Sequence, residues 1–133
     1  MNLRAHRVAR AAYQRVEAHQ NEPDKKKYGA IAHKLPGMIL QNGLAQATGF
    51  LLAKGGTEHL ILLDDLNFVL REGGTLNATD RYALHQAIIA ADLNQTLKLT
   101  RHALEASGWI KRYVQGLLRV DATGETVAEE THE

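Results

Sequence analysis

The densest run of apolar residues in the chain lies between positions 36 and 54. In a helical conformation these side chains point in almost every direction, which leaves no broad polar face for water. Pro36 cannot continue a preceding helix but is favoured in the first turn of a new one. We therefore predict a buried central helix over residues 36–54, with Phe50 in the core.

The segments on either side of this run have apolar residues at helical spacing. Turns are expected at Pro23, at the glycine pairs that begin at Gly55 and Gly73, near Asn94 and at Gly108. No segment shows the sustained alternation of a half-buried strand. The sequence predicts an all-α fold, a single compact bundle of about six helices around the central helix.

The chain has 133 residues, enough for one domain with its own core. From Asp121 to the end it has five acidic residues and no Lys or Arg, a composition typical of a solvated, frayed terminus. We predict a single helical domain over residues 1–120 and an acidic, flexible tail over residues 121–133. Removal of the tail after Val120 is expected to leave the fold intact.

The composition also indicates where the protein resides. The absence of cysteine excludes disulfides and thiolate chemistry and agrees with a reducing compartment. No stretch has the length and apolar character of a signal peptide core or a membrane span. We expect a cytoplasmic protein with no membrane partner.

The net charge of +1 is unevenly distributed along the chain. Residues 1–56 contain nine Lys and Arg against three Asp and Glu, whereas residues 57–120 contain seven of each class. Lys25, Lys26 and Lys27 lie in the first turn of a predicted helix, where the helix dipole disfavours cations. Two interpretations stay open: a surface that binds a polyanion, and solvated helix faces whose charges salt screens.

No known catalytic motif is present. The seven histidines do not follow a recognised metal-binding spacing, and the chain has no nucleophile elbow and no phosphate-binding loop. Asp64 and Asp65 are adjacent, and neighbours on a helix diverge by about 100°, so one of them is expected to face solvent. We expect no catalysis, no cofactor, no metal and no small-molecule substrate.

One gap-free pattern covers more than twenty residues of the apolar run and the segment before it. Its members are Tyr28, Gly29, Ala32, Lys34, Leu35, Pro36, Ile39, Asn42, Gly43, Leu44, Gln46, Phe50 and Leu51. The pattern resembles the signature of the Cmr small subunit, part of the type III-B CRISPR RNA-guided effector complexes. A second, weaker likeness follows near the end of the chain, at Leu104, Trp109, Lys111, Arg112 and Leu117.

The resemblance implies a non-catalytic structural subunit that helps to assemble the complex and to bind RNA in antiviral defence. Its implied partners are the other Cmr subunits, copies of itself, and the guide RNA, the target RNA or both. One alternative is a helical interaction or oligomerisation module without direct RNA contact. Another is a small enzyme such as a histidine-dependent nuclease.

Charge and resemblance together select the candidate RNA-binding residues, among which Lys34, Lys111 and Arg112 rank highest. The full set is Arg15, Lys25, Lys26, Lys27, Lys34, Lys54, Lys111 and Arg112. Reading an RNA sequence generally requires exposed aromatic side chains on which bases stack. The chain has seven aromatic residues, and most lie on predicted core faces. We therefore expect contact with the RNA backbone and no readout of base sequence.

Overall fold

The computed structural model describes residues 3–126. Helices dominate this part of the chain, and its one β feature is an isolated antiparallel bridge between Val120 and Thr126. The elements are α1 (Arg4–Glu17), α2 (Lys25–Asn42), α3 (Leu44–Lys54), α4 (Thr57–Glu72), α5 (Arg81–Ala90), α6 (Leu93–Tyr113) and a π-helical turn (Val114–Leu118). The all-α prediction is confirmed.

The enclosed helix of the bundle is α4. It packs against every other α-helix of the described chain, and half of its residues are buried. The sequence HLILLDDLNFVL places apolar residues on most sides of this helix, so it requires cover all round. Around it, α1 and α2 pack on α6, while α3 packs on α2 and α5.

The prediction of one central helix over residues 36–54 is wrong at its start and in its middle, although a helix does end at Lys54 as expected. Pro36 lies inside α2, which begins at Lys25, and the chain breaks at Gly43 before α3 starts. Tyr28, Ala32 and Ile39 form one buried stripe that passes Pro36, so the packing of α2 favours a continuous helix despite the hydrogen bond that proline removes. Gly43 has a φ of 89°, a conformation that favours glycine.

Phe50 does not belong to the core. Its residue surface is 39% exposed, whereas the neighbouring Leu51 is completely buried. Helix α3 packs on α2, α4 and α5 through the face that carries Leu44, Ala47 and Leu51. The opposite face, which includes Phe50, is left towards solvent.

Helix α6 is longer than the pattern predicted. The expected break at Gly108 is absent, and one helix runs from Leu93 to Tyr113. The break expected near Asn94 is present two residues earlier, at Ala91 and Asp92. Its N-cap is Asp92, whose Oδ1 accepts a hydrogen bond from the backbone N–H of Gln95 at 2.8 Å, while the Gln95 side chain accepts one from the backbone of Asp92. This capping box satisfies amides that a new helix leaves free.

After α6 the chain turns back onto α2. Arg119 adopts a left-handed conformation, and the side chain of Val120 packs against Gly29. Asp121 Oδ1 then accepts hydrogen bonds from Thr123 and Glu125, which close a turn next to α2. These hydrogen bonds, led by the one from the Thr123 hydroxyl, lower the pKa of Asp121. Residues 127–133 of the predicted tail lie outside the described residues, so the boundary at residue 120 stays a prediction.

Within residues 3–126, every helix is too short or too polar to cross a lipid bilayer.

Candidate nucleic-acid interface

Three of the four lysines of α2 form its first turn, and the fourth, Lys34, lies near its middle. Lys26, Lys27 and Lys34 are exposed and Lys25 is half-buried. Lys27 and Lys34 are seven positions apart, about two helical turns, so they share one face of the helix.

Lys111 and Arg112 lie in the last turn of α6, where the helix dipole favours cations. The residues after α6 pack against α2, because Val114 and Val120 both contact Gly29. His33 Nε2, next to Lys34 in the chain, lies 2.8 Å from the carbonyl oxygen of Val120. The start of α2 and the end of α6 therefore flank residues 114–120. We call the cations around this segment the basic end: Lys25, Lys26, Lys27, Lys34, Lys111 and Arg112.

Two predicted site residues fall outside the basic end. Lys54 is exposed at the C-terminus of α3, a helix that packs mainly on α2, α4 and α5. Arg15, on α1, makes an ion pair with Asp65 at 2.7 Å. Among residues 3–126, no carboxylate lies within ion-pair distance of Lys54 or of any member of the basic end.

The carboxylate of Asp65 is completely buried and has three polar partners. Arg15 Nε donates to Oδ1, the Tyr28 hydroxyl donates to Oδ2 at 2.6 Å, and His19 Nε2 lies 2.8 Å from Oδ2. These side chains come from α1, the loop after it and α2, so Asp65 joins three parts of the bundle. A buried charge is tolerated only with such partners. We call these four residues the Asp65 cluster.

Sequence reasoning missed the Asp65 cluster and expected Arg15 to contact RNA phosphate. The signal was the position of Asp65 three residues after Leu62 and four before Val69, on the buried face of α4. Asp64 is the member of the acidic pair that faces outward, as expected for one of the two. Its carboxylate accepts two hydrogen bonds from Arg81, at 2.9 and 2.6 Å.

Tyr28 is locked into this cluster by its ring as well as its hydroxyl. The rings of His19 and Tyr28 are 4.0 Å apart between centroids. Burial, followed by the negative charge of Asp65, raises the pKa of Tyr28 well above its usual value. The hydroxyl therefore stays protonated and continues to donate to Asp65 across the physiological range.

Most aromatic residues lie against the core, since Tyr28 is buried and Phe68, Trp109 and Tyr113 are partly buried and pack on it, but Phe50 and Tyr82 do not. Of the seven, only Tyr28 is in the buried core, while Tyr13, Phe50 and Tyr82 have 41%, 39% and 60% of their surface exposed. Trp109 stacks on Tyr113 at 5.6 Å, and Tyr13 meets Tyr113 edge-on at 5.3 Å. Exposed rings therefore exist that could contact RNA bases.

A separate apolar surface lies where α5 meets α6. Ile89, Leu93 and Leu97 have 54%, 73% and 57% of their surface exposed. Ile89 lines a groove of about 290 Å³ whose lining also includes Leu44, Ile88 and Leu99, while Leu93 and Leu97 lie one turn apart on α6. We call Ile89, Leu93 and Leu97 the apolar surface. Large neighbouring apolar residues left in water are typical of interaction sites.

Across residues 3–126, no three His, Asp or Glu side chains are grouped so that they could hold a metal ion.

Comparison with known proteins gives one consistent result. The family model described as CRISPR-associated protein (Cas_Cmr5) matches residues 4–117. The CRISPR system Cmr subunit Cmr5 of Thermus thermophilus is 35% identical over 118 residues, which are 89% of this chain and 98% of that protein. The crystal structure of a CRISPR-associated Cmr5 family protein from the same organism superposes with a TM-score of 0.81 at 35% identity, covering 89% of this chain and 99% of that one.

Proposed function

The chain belongs to the Cas_Cmr5 family of CRISPR-associated proteins, and we propose that it is a non-catalytic structural subunit of a Cmr (type III-B) RNA-guided effector complex. Its similarity to a Cmr subunit over nearly the full length of both proteins supports this role. In this proposal it works in the cytoplasm beside the other Cmr subunits and copies of itself, and other subunits cleave the RNA.

The basic end is the proposed contact with the guide RNA, the target RNA or both. The observation that carries this proposal is that six cations flank one segment of the bundle without an ion pair to any described carboxylate. Lysines that are not neutralised within the protein are free to replace counterions along a phosphate backbone. Such contacts hold RNA without reading its sequence.

Loss of charge at the basic end should weaken RNA binding by the reconstituted complex. We expect the double variant Lys111→Ala and Arg112→Ala to lower affinity about equally for unrelated RNA sequences. The slope of log affinity against log salt should fall by roughly one unit per lost phosphate contact. The measurement is a binding titration at several salt concentrations.

The matched control is Lys98→Ala with Arg101→Ala, which removes the same charge from exposed positions on the same helix, away from the basic end. This control should leave the salt slope close to wild type. Equal slopes for the two double variants, at unchanged helical content, would show that the basic end makes no specific phosphate contact.

The second candidate function is an interaction module that binds no RNA. The apolar surface supports it, because three large apolar side chains near the junction of α5 and α6 are exposed. The two functions are compatible in one protein if the apolar surface binds a neighbouring subunit and the basic end binds RNA.

Polar substitutions in the apolar surface should weaken assembly into the complex without affecting the fold. Leu93→Gln with Leu97→Gln should leave helical content unchanged, because both side chains are largely in water already. Incorporation into the complex should fall about tenfold, equivalent to roughly 1.4 kcal/mol of lost binding free energy. The measurement is the affinity for a complex that lacks this subunit.

Leu40→Gln is the control for this substitution, since Leu40 is 71% exposed but lies on α2, outside the apolar surface. Normal incorporation of the double variant would show that the apolar surface is not a subunit contact.

A further inference from the structure

A cleft of about 420 Å³ lies where α1, α4 and the start of α5 meet. Its volume is within the range of sites that bind small molecules. Arg15, Asn67, Phe68, Arg71 and Tyr82 line the cleft, together with two carboxylates. Of these, Asp64 pairs with Arg81, and Asp80 accepts a hydrogen bond from the backbone N–H of Ala83 at the start of α5. The cleft is distinct from the basic end.

Arg15 presents a fixed plane to this cleft. Its Nε is held by Asp65 at 2.7 Å, and its Cζ lies 4.8 Å from the centre of the Phe68 ring. The side chain is nevertheless 37% exposed. A guanidinium plane held in this way is a stacking surface for an unpaired base.

Asn67 supplies an unused hydrogen-bond acceptor. Its residue surface is 5% exposed, and its Nδ2 donates to the carbonyl oxygen of Ala78 at 3.2 Å. This bond fixes the orientation of the amide, because the carbonyl can only accept. Asn67 Oδ1 then accepts from no described residue and requires an N–H or O–H donor. Asn67 Oδ1 has no accessible surface in the free protein, so a donor on a ligand can reach it only if a side chain at the rim of the cleft moves, a change that is common on binding.

The rim adds a cation and an aromatic ring. Arg81 is neutralised by Asp64, but the guanidinium of Arg71 has no ion-pair partner among residues 3–126. Arg71 is exposed and suited to a phosphate. Tyr82 is 60% exposed and offers its ring to a base.

We infer that this cleft binds a single unstacked nucleotide of RNA. The base stacks on Arg15 and Tyr82, an N–H of its edge donates to Asn67 Oδ1, and its phosphate contacts Arg71. A nucleotide combines a flat face, an N–H edge and an anion in one ligand, which matches the three features of the cleft. The inference rests on the proposed RNA role and deepens it, because the basic end holds backbone while the cleft holds one base.

The test uses two mononucleotides and the full-length protein. Adenosine monophosphate carries the amino group that can donate to Asn67, and purine ribonucleoside monophosphate has the same ring without it. We expect the adenine nucleotide to shift the NMR signals of the Asn67 side-chain amide and the Tyr82 ring. The purine nucleotide should bind at least about tenfold more weakly, because it leaves the buried acceptor unpaired.

Two variants at exposed positions of the cleft, which should not affect folding, test the inference further. Tyr82→Ala and Arg71→Gln should each reduce binding of the adenine nucleotide about tenfold, since a stacked ring or a phosphate contact is lost. Tyr13→Ala removes an exposed ring from α1 and should change nothing. Equal binding of the two nucleotides, or wild-type binding by both cleft variants, would overturn the inference.

The outcome for the cleft can be separated from that for the basic end. Nucleotide binding that shifts only signals of the basic end would overturn the cleft and leave the proposed phosphate contacts standing. Nucleotide binding in the cleft, with a salt slope that does not respond to Lys111→Ala and Arg112→Ala, would support the cleft and refute the basic end. Signals that respond to a peptide of a neighbouring subunit but not to nucleotide would also overturn the inference.

Discussion

Replacement of Asp65 by alanine is expected to lower the free energy of unfolding by about 3 kcal/mol or more. Replacement of the adjacent Asp64 by alanine should lower it by at most about 1 kcal/mol. The two residues are neighbours in sequence and both pair with an arginine. They differ in burial, since the Asp65 side chain is completely buried and that of Asp64 is 32% exposed.

The large effect at Asp65 follows from the groups that it would leave behind. Tyr28 is buried, and its hydroxyl would lose its only described partner. His19 has a side chain that is 12% exposed and would also lose its partner. Arg15, at 37% exposure, can still be solvated, which keeps the expected loss near the lower end of the range for broken buried pairs.

Urea denaturation followed by circular dichroism measures the difference between the two variants. Asp65→Asn keeps an acceptor in place and should be less destabilised than Asp65→Ala. Tyr28→Phe removes one hydrogen bond and should lose about 1 kcal/mol. Similar unfolding midpoints for Asp65→Ala and Asp64→Ala would refute the structural role assigned to the Asp65 cluster.

The raised pKa of Tyr28 adds a test in alkaline solution. Burial favours the neutral hydroxyl in the folded state, so the unfolded chain releases this proton at lower pH than the folded chain. The stabilisation is therefore complete below the ordinary tyrosine pKa of 10.0 and is lost as pH rises through the folded-state pKa. Wild type should lose stability above pH 10.0 more steeply than Tyr28→Phe, measured by denaturation at a series of pH values.

Helix positions were largely predictable, because apolar residues at helical spacing fix which face is buried. The predicted helix boundaries were wrong where tertiary packing outweighed the local preference of a proline or a glycine. Pro36 is a helix start by local preference, yet the buried stripe through Tyr28 and Ile39 continues past it. Gly108 did not break α6, since its position is open and no neighbour opposes a continuous helix.

The choice of the enclosed helix could not be made from one segment at a time. Residues 36–54 and α4 are both apolar on most sides, and which one the others surround depends on how all the helices pack. The structure places α4 at the centre and leaves Phe50 and Leu40 partly in water.

Some residues of the candidate site could be predicted from the local sequence, and others depend on how the helices pack. Six of the eight predicted cations lie on α2 and α6, the helices that flank residues 114–120. Their exposure was predictable, because charged side chains usually face solvent. Arg15 was assigned to RNA phosphate because the position of its partner Asp65, fifty residues later, depends on how α1 packs on α4. An ion pair between side chains on two different helices depends on the tertiary structure, and it could not be predicted from a single sequence.

Replacement of Gly29 by alanine is expected to destabilise the protein by about 2 kcal/mol, although alanine is the better helix former. A Cβ at this position would lie 2.7 Å from Val120 Cγ1 and 2.8 Å from Val120 Cβ. Rotation of the valine side chain cannot relieve the second contact, because Cβ is fixed to the backbone. The backbone at Val120, which is completely buried and held by His33 through its carbonyl oxygen, would have to move.

Gly37→Ala is the matched control within the same helix, and it should change stability in the opposite direction. No atom lies within 4 Å of a Cβ built at Gly37, so the substitution should stabilise α2 by up to about 1 kcal/mol. Denaturation midpoints of the two variants measure the contrast. Gly29→Ala should also reduce RNA binding by the complex, because residues 114–120 position the basic end. If Gly29→Ala raised the free energy of unfolding, residues 114–120 could not pack on α2 as described. The cations of α2 and α6 would then not lie together at the basic end.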